Sequence, residues 1–163
     1  MCKSLSRAVE VASAEAMREL GSTFGKLLLR SGAGALCIAI EGELGAGKTT
    51  FVGGVMAAAG IAGPIRSPTY TLIEPYEAAG RQIYHVDLYR LIQADEVEAL
   101  GVRDLLTPSS ILLIEWPSRA AKRIPPADIR IDMAYAPAPQ AGRQVQFAAG
   151  SPAGTELLKQ FLR

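Results

Sequence analysis

Little in this chain supports thiol, disulfide or histidine-centred metal chemistry. Its two cysteines, Cys2 and Cys37, are too few for a disulfide framework or a cysteine-based metal site. Cys37 lies inside an apolar run and reads as a small core residue. Neither sign of charge is in excess: 17 Lys and Arg against 16 Asp and Glu leave a formal net charge of +1. That balance excludes a global basic field for nucleic acid, so any RNA connection must be local or made through a partner. No hydrophobic run approaches the length of a membrane span, and MCKSLSRAVEVASAEAMREL has no continuous apolar signal core. These absences point to a cytoplasmic protein with no membrane role. Repeats and low-complexity tracts are also missing.

What is present is a chain of 163 residues, 49% hydrophobic and 20% charged. This suits one globular domain, 1–163, with a real core. Its most informative stretch is IAIEGELGAGKTTFVGGV, residues 38–55. Within it, Gly42-Glu43-Leu44-Gly45-Ala46-Gly47-Lys48-Thr49 fits the phosphate-loop pattern G-x-x-x-x-G-K-[ST]. Glycines there let successive backbone N–H groups turn inward around an anion. A following helix adds its unpaired N-terminal N–H groups and positive dipole end. Lys48 is positioned in this motif to reach the β- and γ-phosphates, and the Thr49 hydroxyl to hold Mg²⁺. The flanks agree: ALCIAIEG has the length and apolarity of a strand buried on both faces, and TTFVGGVMAAAG carries Phe51, Val55 and Met56 at helical spacing before a stop at Gly60. Gly53 and Gly54 weaken that helix by about 1 kcal/mol each relative to Ala, so tertiary packing must support it.

Elsewhere, residues 12–30 read as a helix capped by Ser13, with Ala16, Leu20, Phe24 and Leu27 on its inner face. Two strands surround the EAAGR turn, and a short helix covers ADEVEALGV, capped by Asp95 and ended by Gly101. SSILLIEWP is another buried strand. ADIRIDMAY, with Ile129, Ile131, Met133 and Tyr135 on one side, and GRQVQFAAG alternate as half-exposed antiparallel strands joined by APAPQAG (136–142). GTELLKQFLR closes the chain as an amphipathic helix. The expected fold is a three-layer α/β domain of phosphate-loop NTPase type, its mixed sheet having parallel strands around the loop and antiparallel additions.

A phosphate loop needs a carboxylate to hold or water-link its Mg²⁺ near the end of a neighbouring strand. Glu115, ending ILLIEWP, and Asp87, in YHVDLYR on the face of His85 and Tyr89, are the candidates. A carboxylate inside a buried strand needs a partner, which for Asp87 is either a metal beside ATP or an arginine such as Arg90. His85, the only histidine, reads as a packed or hydrogen-bonded residue ahead of a general base. Trp116, the only tryptophan, reads as core or edge packing.

GELGAGKTTF, SPTYTLIEPY, YHVDLYRL and LLIEWP together resemble the TsaE family, the ATPase of bacterial tRNA threonylcarbamoyladenosine synthesis. The similarity runs from about residue 14 to the last helix. It implies ATP bound by Gly42, Leu44, Gly45, Ala46, Gly47, Lys48, Thr49 and Thr50, with Thr49 and Glu115 on Mg²⁺. It further implies that Lys48 and Thr50 are needed for activity, that Asp87 is a functional acid near the metal, and that Ser67, Pro68 and Thr69 form a nucleotide-responsive loop. The family's partners are TsaB and TsaD, TsaD transferring threonylcarbamoyl to A37 of tRNAs that read ANN codons; tRNA is reached through that complex. The chain departs from the family at Glu43, where many members have Asp, and at Met17, which replaces a frequent Thr beside the expected adenine contact. Which acid activates the attacking water, Asp87, Glu115 or a partner's group, is left open by these residues. A small-molecule kinase is the competing reading, with SRAAKR as a lid and SPTYT lining an acceptor pocket, although the lid segment is short. A non-catalytic scaffold is opposed by the joint presence of Lys48, Thr49 and the two acids.

Overall fold

The structure, a computed structural model, describes residues 5–163; Cys2 lies outside them. In chain order the elements are β1 (Ser6–Val11), α1 (Ala14–Arg30), β2 (Leu36–Gly42), α2 (Lys48–Ala58), β3 (Ile73–Ala78), β4 (Arg81–Asp87), α3 (Glu96–Leu100), β5 (Ser110–Glu115), β6 (Ile129–Tyr135), β7 (Arg143–Ala149) and α4 (Pro152–Phe161), with 3₁₀ turns at Val102–Leu105 and Pro117–Ala120. The strands form one sheet of order β1-β7-β6-β2-β5-β4-β3. Four of them, β6, β2, β5 and β4, run parallel. Antiparallel β3 extends one edge; at the other, β7 runs antiparallel to β6 and β1 antiparallel to β7. The mixed α/β sheet expected from the sequence is therefore the one observed. Of the two alternating segments, only the β6–β7 pairing is antiparallel, since β6 also lies parallel against β2.

Strand periodicity divides the sheet into two faces. Leu36, Ile38, Ile40, Ile111, Leu113 and Ile131 point towards α1, α2 and α4, where they meet Phe24, Phe51 and Phe147. Cys37, Val86, Leu112 and Ile114 point the other way, under Val97 of α3 and Val102 and Ala120 of the 3₁₀ turns. The two helical layers are thus unequal: three full helices against one short helix and two turns. β2 and β5 are buried nearly throughout, as their unbroken apolar runs require. β1 has no counterpart among the elements expected from sequence. It is a mostly exposed edge strand, with Val11 its one buried residue.

Glycines determine how α1 meets α2. Ser13 caps α1 as expected, its hydroxyl accepting from the Ala16 N–H at 3.1 Å. The buried face, however, is Met17, Gly21, Phe24, Gly25 and Leu28, while Ala16, Leu20 and Leu27 are only partly covered. The face is rotated because the two glycines let α2 approach the α1 backbone itself. A β-carbon at Gly21 would strike the Phe51 carbonyl oxygen, one at Gly25 would sit 2.8 Å from the Val55 Cα, and one at Gly54 would strike the Arg18 carbonyl oxygen. The helix weakening expected at Gly54 is therefore the condition for a backbone-to-backbone contact. Gly53 has no such role, its nearest neighbour being 4.0 Å from a notional β-carbon.

Asp95 does not cap α3. It forms an ion pair with Arg123, and the Glu96 carboxylate instead accepts from the Ile92 and Gln93 N–H groups at 3.0 and 2.8 Å. Gly101, at φ 66°, ends the helix as expected. α4 starts earlier than its apolar pattern, with Pro152 in its first turn and the Ser151 hydroxyl accepting from the Gly154 N–H at 3.0 Å.

Gly21→Ala and Gly54→Ala are each expected to destabilise the fold by about 1–3 kcal/mol through overpacking. Gly53→Ala should be neutral or stabilising by up to about 1 kcal/mol. Urea unfolding of the three variants separates close approach from helix propensity.

Candidate functional site

Parallel strands that end together bring their last residues to one rim of the sheet. β2 ends in Gly42 and passes into the loop 42–47, whose Gly42, Gly45 and Gly47 have φ of 156°, 78° and 108°. These values fall where a β-carbon is disfavoured, as the phosphate-loop reading requires. Gly47 caps α2 with no side-chain bond, so the first amides of that helix stay open.

Lys48 begins α2 and folds back over the loop. Its Nζ donates to the carbonyls of Gly42 at 2.6 Å and Glu43 at 2.8 Å, and lies 4.1 Å from the centre of the Trp116 ring. Only 5% of Lys48 is exposed. Burial holds its ammonium below the usual lysine range, opposed by the charges of Glu115, Glu41 and Asp87. Trp116 directly follows β5 in a left-handed conformation, φ 59°, and its N–H donates to Ile40 O at 3.1 Å. For a bulky residue such a conformation costs about 1–3 kcal/mol and marks sites where the surroundings dictate the backbone. Trp116 packs at the edge of the core cluster around Leu112 and Ile114, as expected, and its indole is also the surface against which Lys48 rests.

Alternation along β4 and β5 places His85, Asp87 and Glu115 on the same face as α2, and register pairs Asp87 with Glu115. Asp87 is 3% exposed and Glu115 1%. The Thr49 hydroxyl, one residue into α2, lies 3.0 and 3.2 Å from the two Glu115 oxygens. Ser67 donates to Asp87 Oδ2 and sits 3.4 Å from Glu115 Oε2. His85 Nε2 is 3.2 Å from Glu115 Oε1, and facing a carboxylate it is the donating ring nitrogen. The Tyr89 N–H donates to Asp87 Oδ1 at 2.9 Å. Arg90 is not the partner of Asp87; its guanidinium lies 4.1 Å from the Tyr70 ring centre. Tyr89 lies beyond β4, which ends at Asp87, yet it lines the same cavity as Asp87, its ring packing on Trp116 at 4.9 Å.

Lys48, Thr49, Thr50, Asp87 and Glu115 therefore converge on one cavity of about 300 Å³, whose wall also includes Leu44, Gly45 and Gly47. A second cavity of about 170 Å³ adjoins it through Gly45, Gly47 and Thr50, and reaches Ser13 and Met17. Of the loop residues expected to bind nucleotide, Gly42 lines neither cavity and supplies the carbonyl that Lys48 holds, whereas Ala46 lines the smaller cavity, its N–H on Glu43 O at 3.0 Å. The donor set suits one kind of cation. Among the described residues no three His, Cys, Asp or Glu are grouped to form a metal cage. Two carboxylates and two hydroxyls beside a glycine loop with open helix amides have the chemistry of a site for a hard cation that keeps other oxygen ligands, such as Mg²⁺, and not of a closed zinc site. Cys37 takes no part: burial, with the Asp128 charge, pushes its thiol up to about 12.

Residues 11–145 match the family described as threonylcarbamoyl adenosine biosynthesis protein TsaE. The chain is 38% identical to the tRNA threonylcarbamoyladenosine biosynthesis protein TsaE of Haemophilus influenzae over 146 residues, 89% of this chain and 90% of that one. The chain belongs to the TsaE family. The Streptomyces coelicolor TsaE is 41% identical over 103 residues, covering 61% of this chain and 66% of its own. The fold is similar to the crystal structure of Bacillus subtilis YdiB, with a TM-score of 0.76 at 21% identity over 100% of this chain and 98% of that one.

Two residues at the TsaE site escape sequence reasoning. Tyr135 Oη donates to Leu44 O at 2.9 Å, and Arg143 Nη2 to Gly45 O at 3.1 Å. Nothing in their local sequence signals this. The only hint is that Tyr135 continues the buried row Ile129, Ile131, Met133 into solvent, being 46% exposed.

His85→Leu should cost about 1–3 kcal/mol in urea unfolding, because buried Glu115 loses a hydrogen-bond partner. His85→Gln, whose amide nitrogen replaces Nε2, should recover most of that loss. Equal destabilisation by both substitutions would mean that His85 acts by packing alone.

Proposed function

We propose that this chain binds ATP with Mg²⁺ and hydrolyses it slowly, as the ATPase of tRNA threonylcarbamoyladenosine synthesis working with TsaB and TsaD. The observation that carries the reading is the Thr49–Glu115 contact, which joins the first turn of α2 to a buried carboxylate within the Lys48 cavity. In this reading the larger cavity takes the phosphates. Lys48 and the open amides of α2 bind them, and Lys48 keeps its loop carbonyls while turning its remaining N–H to the phosphate. The smaller cavity, between the start of α1 and Gly47–Thr50, takes the nucleoside, with Met17 as its wall. Thr49 and Glu115 would hold Mg²⁺, and the ion would supply positive charge against the negative charge developing on the phosphates. Asp87 orients water from the neighbouring strand end.

Ser67 links this chemistry to the surface. Its hydroxyl is shared by the two acids, and its carbonyl and that of Pro68 accept from the Thr69 and Leu72 N–H groups at 2.8 and 2.7 Å. Loss of the γ-phosphate changes the partners of the acids, and the loop 67–72 moves with them. Exposed apolar side chains at the same rim, Leu44, Tyr70 and Ile92 at 69%, 84% and 90%, support a protein reading that change. The kinase alternative loses ground because its supposed lid is tied down. Arg123 pairs with Asp95 and Glu98, and Arg103 donates to the Lys122 and Arg123 carbonyls.

Lys48→Ala should weaken ATP binding about tenfold or more in a folded protein, since a charge-assisted contact of this kind contributes roughly 1.5–3 kcal/mol. Glu115→Gln should raise the Mg²⁺ concentration needed for hydrolysis, whereas Asp87→Asn should reduce turnover more than Mg²⁺·ATP binding. The decisive assay follows repeated turnover of tRNA modification by TsaB and TsaD, supplied with threonylcarbamoyl-adenylate, with and without this chain and ATP. Equal turnover in its absence would exclude the proposal.

A further inference from the structure

The hydrogen bonds from Tyr135 and Arg143 reach the tip of the phosphate loop from the β6–β7 hairpin, Tyr135 from outside both cavities and Arg143 from the wall of the smaller one. The two residues face each other as the last β6–β7 pair, and the Arg143 guanidinium stacks 4.0 Å from the Tyr135 ring centre. The Ala136 N–H donates to Gly142 O at 3.1 Å to close the hairpin behind them, and a β-carbon on Gly142 would press on the Val11 carbonyl of β1. The pair is thus seated on three strands. It holds two consecutive carbonyls, Leu44 O and Gly45 O.

We infer that Tyr135 and Arg143 are positioning residues that preorganise the phosphate loop for nucleotide, an inference that rests on the nucleotide reading above. The reasoning is geometric. In a trans peptide the C=O and N–H point in opposite directions. A hydroxyl holding Leu44 O therefore turns the Gly45 N–H away from the hairpin. Arg143, holding Gly45 O, fixes the next peptide, whose Ala46 N–H closes the turn on Glu43 O at 3.0 Å. That carbonyl is also the one Lys48 holds. Two side chains thereby set the peptide planes of the tip and, through Glu43, the seat of the lysine. Glycine suits position 45 on two counts: its φ is 78°, and a β-carbon would lie 2.8 Å from Tyr135 Oη, displacing the hydroxyl. A loop held this way does not spend binding energy on ordering itself when an anion arrives.

Tyr135→Phe removes the hydroxyl and keeps the ring beneath Arg143. It should weaken ADP and ATP alike by about three- to tenfold, the effect of one lost hydrogen bond, raising KM while leaving turnover at saturation unchanged. Amide exchange at Gly45 should quicken in the nucleotide-free protein, with the urea midpoint unmoved. Arg143→Met should act in the same direction, and Arg143→Lys, which keeps a donor, should restore part of the loss. Equal nucleotide affinity and equal Gly45 exchange in wild type and Tyr135→Phe would overturn the inference. If the wild-type chain binds no nucleotide, the parent reading fails instead, and Gly45 exchange alone decides whether the pair orders the loop.

Discussion

The site depends on one buried carboxylate. Glu115 sits at the end of the most buried strand of the sheet, where an isolated charge would be costly. Three side chains from three separate segments meet it: Thr49 from α2, Ser67 from the loop after α2, and His85 from β4. Each contact satisfies part of the carboxylate, and together they fix the relative positions of helix, loop and strand. The next residue is bound into the same arrangement, since the Trp116 backbone bonds to β2 and its ring supports Lys48. Removing the carboxylate would therefore disconnect the phosphate loop from the strand end that complements it.

That convergence requires α2 to lie low against the sheet and close to α1, and small residues make this possible. Bulky residues at Gly21, Gly25 or Gly54 would hold the helices apart and lift Thr49 from Glu115. The aromatic cluster of Phe24, Phe51, Phe147 and Phe161, with centroid separations of 5.0–6.2 Å, fills the space on the sheet side of the contact. Packing and chemistry are thus linked through a single helix.

The parts legible in the sequence are those governed by neighbours along the chain. The phosphate loop, the buried runs of β2 and β5, the β3–β4 hairpin and the Ser13 cap depend on local spacing, and all appear where that spacing indicates. The TsaE resemblance was carried by four such local motifs. The less legible parts depend on residues far apart. Tyr135 and Arg143 act on carbonyls 91 and 98 positions away, so no window of sequence contains the interaction. The inner face of α1 was displaced by glycines that carry no apolar signal. The Asp95 carboxylate is drawn to Arg123, and the first amides of α3 are taken by the carbonyls of Gln93, Ala94 and Asp95, while Glu96 accepts from the preceding loop. β1 was hidden because an exposed edge strand with one buried residue lacks a period to detect.

The backbone contact between α1 and α2 also has a mechanical consequence. Where carbonyls press on glycine carbons no side chain intervenes that could yield by changing rotamer, so relative sliding of the two helices is sterically opposed. Ser13 and Met17 at the start of α1 and Lys48 to Thr50 at the start of α2 consequently form one rigid jaw spanning both cavities. Compliance must come from elsewhere. Residues 61–72, running from the end of α2 to β3 without helix or strand, meet Asp87 through the Ser67 hydroxyl and through the Leu72 carbonyl, which accepts from the Asp87 N–H at 2.9 Å. The larger cavity is therefore walled on one side by locked helices and on the other by a segment held through single hydrogen bonds.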